Sequence, residues 1–350
     1  MYSLKIAVVG VGLGGKTHIK CLNNSTFGHL DSIIAPDTTI NNAIAKQENV
    51  PIFHSIDECL RHRVVDGIII ASPNQDHAKQ AALCINSGIP VLIEKPIASS
   101  VNDALELVSL VNKKNAKVLV GHHRAHSPIM KASCDLISQG RLGKIVSLMG
   151  SAQFYKPDHY FDDGPWRKEY GGGPILINLI HEIHNLRMLL GEISQVQAIT
   201  SNNVRRFIVE DTVVINLVFE SGVLGTFILS DTASTSRSWE QTTEENQSYP
   251  SYPNEDCYLI SGTKGSLGIP TMRLQYYAEG TIPSWWSPFT EETLDVLKQD
   301  PLNIQLINFF DVINGKSPPL VTAYDGYRNL IITAAIKESA IKKSIIDIQR

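Results

Sequence analysis

The chain is short of several things that would point to particular partners. Its five cysteines (Cys21, Cys59, Cys84, Cys134 and Cys257) are scattered, odd in number and without a C-x-x-C pair. That pattern argues against a structural zinc site and for reduced thiols in a cytosol-like compartment. There is no long basic run and the formal net charge is −4, so nothing points to nucleic acid or an anionic membrane. No apolar stretch approaches the ~20 residues needed to span a bilayer. Met1-Tyr2-Ser3-Leu4-Lys5 runs straight into a strand with no signal-peptide core. Internal repeats and low-complexity segments are also missing. The expectation is a soluble cytoplasmic protein.

What is present is ordinary globular composition, 43% apolar and 19% charged. With 350 residues the chain is too long for one typical core, so two domains are expected, 1–122 and 123–350. The first third alternates short apolar runs with helical segments. Leu4–Val9, Ser32–Ala35, Asp66–Ala71, Pro90–Ile93 and Lys117–Gly121 read as strands, separated by helices such as Gln75–Asn86 and Val101–Lys113. This rhythm describes an α/β Rossmann domain with a doubly wound parallel sheet. Beyond it the pattern changes. Lys144–Phe154, Val196–Asn203, Thr212–Phe219, Val223–Ser230, Asp256–Ser261 and Met272–Tyr277 read as strands, Ile175–Leu190 as one long helix, and Leu302–Ile313 and Tyr327–Lys343 as closing helices. A C-terminal α+β domain with a large, mostly antiparallel sheet is expected. Ser234–Asn254 reads as a long loop.

Gly10-Val11-Gly12-Leu13-Gly14-Gly15 closes the first strand and opens the first helix. Gly10 permits the tight turn, Gly12 lets backbone approach a pyrophosphate, and Gly15 allows close packing of helix on strand. The helix N-terminus, with Leu13 and Gly14, offers free N–H groups to the phosphates. An acidic residue that holds the ribose is expected about 20 residues further on. Asp37 stands near that spacing and fits a turn or helix N-cap equally well. No arginine is close by to hold a 2′-phosphate, which favours NAD over NADP and leaves NADP open.

Lys95 ends the apolar run Pro90-Val91-Leu92-Ile93-Glu94, at the end of a strand where open α/β sheets place their ligands. A lysine there is expensive to desolvate unless it is paired or used. On its own it reads equally as a surface residue of a strand-to-helix loop.

Taken together, Gly10-x-Gly12-x-x-Gly15-x-x-His18, Ala71-Ser72-Pro73-Asn74-Gln75-Asp76-His77 and Glu94-Lys95-Pro96 resemble the glucose-fructose oxidoreductase / inositol dehydrogenase family. Gly171-Gly172-Gly173 followed by Asn178-x-x-His181-Glu182-Ile183 extends the resemblance over nearly the whole chain. It implies an NAD(P)-dependent dehydrogenase that oxidises a secondary alcohol of a sugar, inositol-like polyol or related cyclic alcohol. It implies cofactor contacts from Ser72, Pro73, Asn74, His77, Glu94 and Lys95. It also implies Lys95 as the catalytic lysine and His181 as the acid/base. The chemistry agrees, because a hydroxyl that loses hydride must also lose its proton to a base within reach. An ammonium beside that base stabilises alkoxide character. One position departs from the pattern: the aspartate that inositol dehydrogenases carry four residues before the histidine is Ile177 here. Asn178 lies on the same helix face and could bond the substrate or the ring, and His184 stands one turn further on.

Further substrate-contact candidates are Arg124, which could equally tie a domain junction, and Tyr155, Lys156 and Trp166, which could equally be packing residues. Trp285-Trp286 could be a lid or a subunit contact. The family resemblance and the long strands suggest sheet-to-sheet homodimers or homotetramers. A non-catalytic nucleotide-binding sensor on the same fold is the alternative, kept open by Ile177.

Overall fold

The computed structural model describes residues 3–349. They form two compact units, one holding the residues up to His126 together with Pro301–Leu330, the other Ser127–Asp300 with the residues from Ile331 onward. This division differs from a single cut after residue 122, because Pro301–Leu330 returns to the first unit.

In the first unit, strands β1 (Leu4–Val9), β2 (Gly28–Ile34), β3 (Ile52–Phe53), β4 (Gly67–Ile70), β5 (Val91–Glu94) and β6 (Val118–Gly121) alternate with helices. The helices are α1 (Leu13–Asn23), α2 (Thr39–Gln47), α3 (Ile56–His62), α4 (Asn74–Asn86) and α5 (Val101–Lys114). All strand pairs are parallel, in the order β3-β2-β1-β4-β5-β6. Helices on both faces bury the sheet, which is why β4, β5 and β6 are apolar runs without alternation. Thr38, Ser55 and Ser100 cap α2, α3 and α5 with their side chains. β2 begins four residues before the expected Ser32, because the buried Asp31 interrupts its apolar run. Arg63 holds that carboxylate at 2.5 and 2.9 Å.

The second unit contains α6 (Pro128–Ser138), β7 (Ile145–Gln153), α7 (Asp158–Asp162) and α8 (Ile180–Leu190). Strands β8 (Ile193–Ser201), β9 (Thr212–Phe219) and β10 (Leu224–Ser230) follow, then the short α9 (Trp239–Thr242). Four more strands complete the run: β11 (Tyr258–Gly262), β12 (Gly265–Ile269), β13 (Arg273–Tyr276) and β14 (Thr290–Thr293). Helix α10 (Pro301–Ile313) belongs to the first unit, α11 (Ala323–Lys342) starts there and ends in the second, and β15 (Ile346–Asp347) completes the sheet. The order is β14-β13-β12-β11-β7-β10-β9-β8-β15, antiparallel except where β10 runs parallel to β7. Its inner face, with Leu148, Ala198, Ile215, Phe227 and Ile260, shares one core with α6 and α8. Its outer face exposes Met149, Ile199, Val214, Leu224 and Leu259.

Four strands were not anticipated: β3, β12, β14 and β15. β12 starts at Gly265, a residue that reads as a turn, and its Gly268 makes room for the Asp256 carboxylate. β14 is short and exposed. The return of α10 to the first unit likewise depends on glycines inside strands. A Cβ on Gly28 would come 2.7 Å from the Phe310 ring, and one on Gly67 2.8 Å from Ile313.

Candidate active site

The glycine loop lies at the switch point of the first sheet, where β1 has β2 on one side and β4 on the other. Gly10 has φ +84, and a Cβ on it would stand 2.7 Å from the Ala71 carbonyl oxygen, so the loops after β1 and β4 touch there. Around Gly12 nothing lies within 4 Å of such a Cβ, which leaves the backbone open to a bulky anion. The first bond inside α1 runs from Lys16 N to Gly12 O at 3.0 Å, so the amides of Leu13, Gly14 and Gly15 are left for a ligand. No side chain caps this helix. These features fit a dinucleotide pyrophosphate. Asp37 lies exposed beyond the end of β2, and its Oδ1 accepts a bond from Asn42 Nδ2 at 2.8 Å.

Around Lys95 the neighbouring polar groups brace one another. His18 Nε2 is 2.8 Å from Glu94 Oε1, and the Lys95 amide donates to Glu94 Oε2 at 3.2 Å. Burial would raise the Glu94 carboxyl, but the bond with His18 and the charges of His18, Lys95 and His123 bring it down to about 2. Burial lowers the Lys95 ammonium from its ordinary value; Glu94 opposes that shift, and Arg124 adds to it. Pro96 follows through a cis peptide bond. His77 is buried with Nδ1 2.8 Å from the Pro96 carbonyl and Nε2 2.9 Å from that of Ser72. The hydroxyl of Ser72 donates to Gln80 at 2.6 Å. His77 and Glu94, expected as cofactor contacts, tie the loop after β4 and the middle of α1 to the turn that carries Lys95. Pro73 and Asn74 open α4 at the end of the same loop. Arg124 is buried in the 3₁₀ turn His123–His126 that follows β6.

In the second unit the segment expected as one long helix has two parts. Ile175–Leu179 is a π turn, and α8 continues from it. Asn178 sits in the π turn; His181 and His184 are buried in α8. Lys156 Nζ donates to Asn178 Oδ1 at 2.7 Å and stands 3.9 Å from Asp231. It also faces the Tyr160 ring at 4.8 Å, a favourable place for an ammonium. Asp231 is shared with Arg205, whose Nε donates to it at 2.7 Å. Burial raises the Asp231 carboxyl, and the Arg205 bond and the Lys156 charge pull against that. Tyr155 and Trp166 are about half exposed, at 55% and 51%. The guanidinium of Arg205 lies 5.3 Å from the Tyr155 ring and that of Arg167 5.6 Å from Trp166. Ile177 is partly buried in the same turn as Asn178.

Sequence reasoning passed over Arg205, Asp231, Tyr160 and Glu210. Tyr160 lies in the short α7 and the others in a loop or at a strand end, with no motif around them. Asp211 just before β9 and Asp231 just after β10 are both almost fully buried, which nothing in their sequence signals.

A model described as the oxidoreductase family, NAD-binding Rossmann fold, matches residues 4–122, and one described as the GFO/IDH/MocA C-terminal domain matches residues 130–268. The chain is 26% identical over 301 residues to a 1,5-anhydro-D-fructose reductase from Ensifer adhaerens, covering 84% of this chain and 83% of that one. It is 33% identical over 153 residues to an inositol 2-dehydrogenase from Corynebacterium glutamicum (strain R), covering only 42% and 45%. The WlbA dehydrogenase from Bordetella pertussis, solved in complex with NADH and UDP-GlcNAcA, shares the fold with a TM-score of 0.80 at 19% identity, covering 99% of this chain and 98% of that one. Loop, helix and sheet order agree with these matches, and the chain belongs to the Gfo/Idh/MocA family of oxidoreductases, with an NAD-binding Rossmann domain as its first unit.

Proposed function

We propose that the protein is an NAD-dependent dehydrogenase that moves hydride between nicotinamide and a secondary alcohol of a sugar, inositol-like polyol or related cyclic alcohol. The observation that carries this reading is Lys95. It is a partly buried lysine directly after β5, braced through Glu94, with burial disfavouring its charge. An ammonium held at such a cost is ready to donate to a developing alkoxide. The bound nicotinamide supplies the hydride acceptor or donor; the chain's own residues deal with the proton. Lys95 bonds the reacting oxygen and His181 takes its proton or returns it. Asn178 orients the substrate. A lysine has donors only, so Lys156 fixes Asn178 with Oδ1 turned towards it and leaves the amide N–H₂ to donate to a substrate oxygen. Tyr155, Trp166, Arg124 and His184 complete the substrate contacts in this reading, and Asp37 holds the ribose.

Mixing the protein with NAD or NADP and a panel of sugars, inositols and anhydro-sugars, with nicotinamide absorbance as the readout, tests it. Turnover of at least one cyclic alcohol or its ketone with NAD is expected. Tight NAD binding without turnover across the panel would favour the nucleotide sensor instead.

The same reading includes a homodimer formed through the outer face of the nine-stranded sheet. Ile199 pairs with Val214 on β8 and β9, and Met149 with Leu259 on β7 and β11, so exposed apolar pairs stand on both sides of β10. Light scattering on a column should give twice the chain mass, and Met149→Asp should return it to the monomer. All five cysteines are free, which suits a reducing cytoplasm. Among the described residues no helix is long and apolar enough to cross a membrane.

A further inference from the structure

The glycine run ahead of the π turn has a partner that no motif points to. Pro174 occupies the N-cap position of Ile175–Leu179 and has neither a polar side chain nor an N–H, and no local side chain caps the turn. The cap comes from 35 residues away: Ile175 N donates to Glu210 Oε1 at 2.9 Å. Space for that carboxylate is made by Gly173, at φ +81, where a Cβ would stand 2.6 Å from Glu210 Oε1. Any side chain at 173 would displace the acid, and one at Gly172 would meet the Arg167 backbone at 2.6 Å. Burial raises the Glu210 carboxyl; the Ile175 amide and the Lys337 charge oppose this.

The consequence lies in helical register. A π turn holds one residue more than an α turn, and relaxing it to α geometry would rotate everything before it by about 100° around the helix axis. Asn178 sits inside the turn and meets Lys156 at 2.7 Å only in its present register. His181 follows in the first turn of α8. We infer that Glu210 is a positioning residue which, by capping Ile175 in the space left by Gly173, fixes the register in which Asn178, ahead of the helix that carries His181, meets Lys156. This rests on the dehydrogenase reading for its catalytic consequence, but not for its structural one.

Three variants test it: Glu210→Ala removes the acceptor, Glu210→Asp keeps the charge but shortens the reach, and Glu210→Gln keeps an oxygen at the same reach without the charge. Hydrogen exchange of the 175–181 peptide and the Asn178 side-chain amide resonance are read on each, together with kcat, KM and NAD affinity. Glu210→Ala and Glu210→Asp should accelerate exchange, shift the Asn178 signal and lower kcat about ten- to a hundredfold, with NAD affinity unchanged. Glu210→Gln should stay within about threefold of the parent on every readout. Unchanged exchange and an unmoved Asn178 signal in Glu210→Asp, or Glu210→Gln as damaged as Glu210→Ala, would overturn the inference. If the parent protein turns over nothing on the panel, the dehydrogenase reading falls alone, because exchange and the Asn178 resonance still decide for or against Glu210.

Discussion

On the proposed dehydrogenase reading, the two units prepare their halves of the chemistry by opposite means. In the first, a ligand is met by backbone: three glycines, a bare helix N-terminus and a strand end, all close in sequence to what they serve. The polar side chains there, His18, Glu94 and His77, are bonded to their own chain and stiffen the turn at Lys95. In the second, side chains from distant segments meet: Lys156 reaches Asn178 in the π turn, Glu210 caps Ile175, and Asp231, 75 residues beyond Lys156, joins it to Arg205. The pyrophosphate of a dinucleotide is the same group in NAD and NADP, so a local motif suffices to bind it. A substrate site built from remote side chains can change while the fold stays.

The sharpest test of the first unit removes Lys95. Lys95→Ala should lower kcat/KM by about a thousandfold or more while leaving NAD affinity within about twofold, since the lysine serves the reacting oxygen and the glycines serve the cofactor. Lys95→Met should be equally inactive yet melt a few degrees higher. A lysine whose folded value is depressed is penalised in its charged form at every pH below the ordinary 10.5, and methionine relieves that penalty at neutral pH. An active Lys95 variant would remove the dehydrogenase assignment.

The second unit should break differently, through stability. Asp231→Ala leaves Arg205 and Lys156 as buried cations without their shared carboxylate. A loss of about 3–5 kcal/mol of unfolding free energy is expected by denaturant titration. Asp231→Asn, which keeps an acceptor for Arg205, should lose less. Equal and small losses in both would mean that the cluster is solvated in solution, and the contrast between the units would shrink.

Much of the first unit was legible in sequence because its signals are local. The glycine spacing, the four-residue apolar strands and the residue at each strand end can be read without knowing what packs where. The strands Gly265–Ile269 and Thr290–Thr293 were missed because glycine reads as a turn and a short exposed edge strand carries no alternation. The helix Pro301–Ile313 was read correctly as a helix and assigned to the wrong unit, since its partners are the vacant positions at Gly28 and Gly67, 234 residues or more before it. The π turn was hidden because Ile175, Leu179, Ile183, Leu186 and Leu190 keep spacings of three to four residues, which read as one α-helix. Arg205, Asp231 and Glu210 could not be found at all, as a buried acid looks the same in sequence as a solvated one.

Glu94 offers a smaller effect, with a definite sign. Its folded value of about 2 lies below the ordinary 4.5, so it stabilises the fold fully above pH 4.5 and loses that contribution as pH falls towards 2. The contribution is on the order of 3 kcal/mol. Glu94→Gln should lower stability at pH 7 and flatten the acid limb of the stability curve between those two values. An unchanged acid limb would mean that His18 and Glu94 do not form their pair in solution, and that the turn at Lys95 is held by His77 alone.

The smallest expected effect tests whether the first unit uses any side chain on its cofactor. Asp37 is exposed, with one carboxylate oxygen bonded to Asn42 and the other without a partner among the described residues. If that oxygen meets the ribose, Asp37→Ala weakens NAD binding about three- to tenfold, close to 1 kcal/mol, and weakens NADP binding less. Asn42→Ala, which frees the bonded oxygen without removing the acid, should change neither affinity by more than about twofold. Calorimetry with both nucleotides separates the cases. A loss confined to NAD makes Asp37 the one side chain in the first unit that reads the cofactor directly. Equal affinities in parent and Asp37→Ala protein make it a turn residue ahead of the Thr38 cap, and the nucleotide is then held by backbone alone.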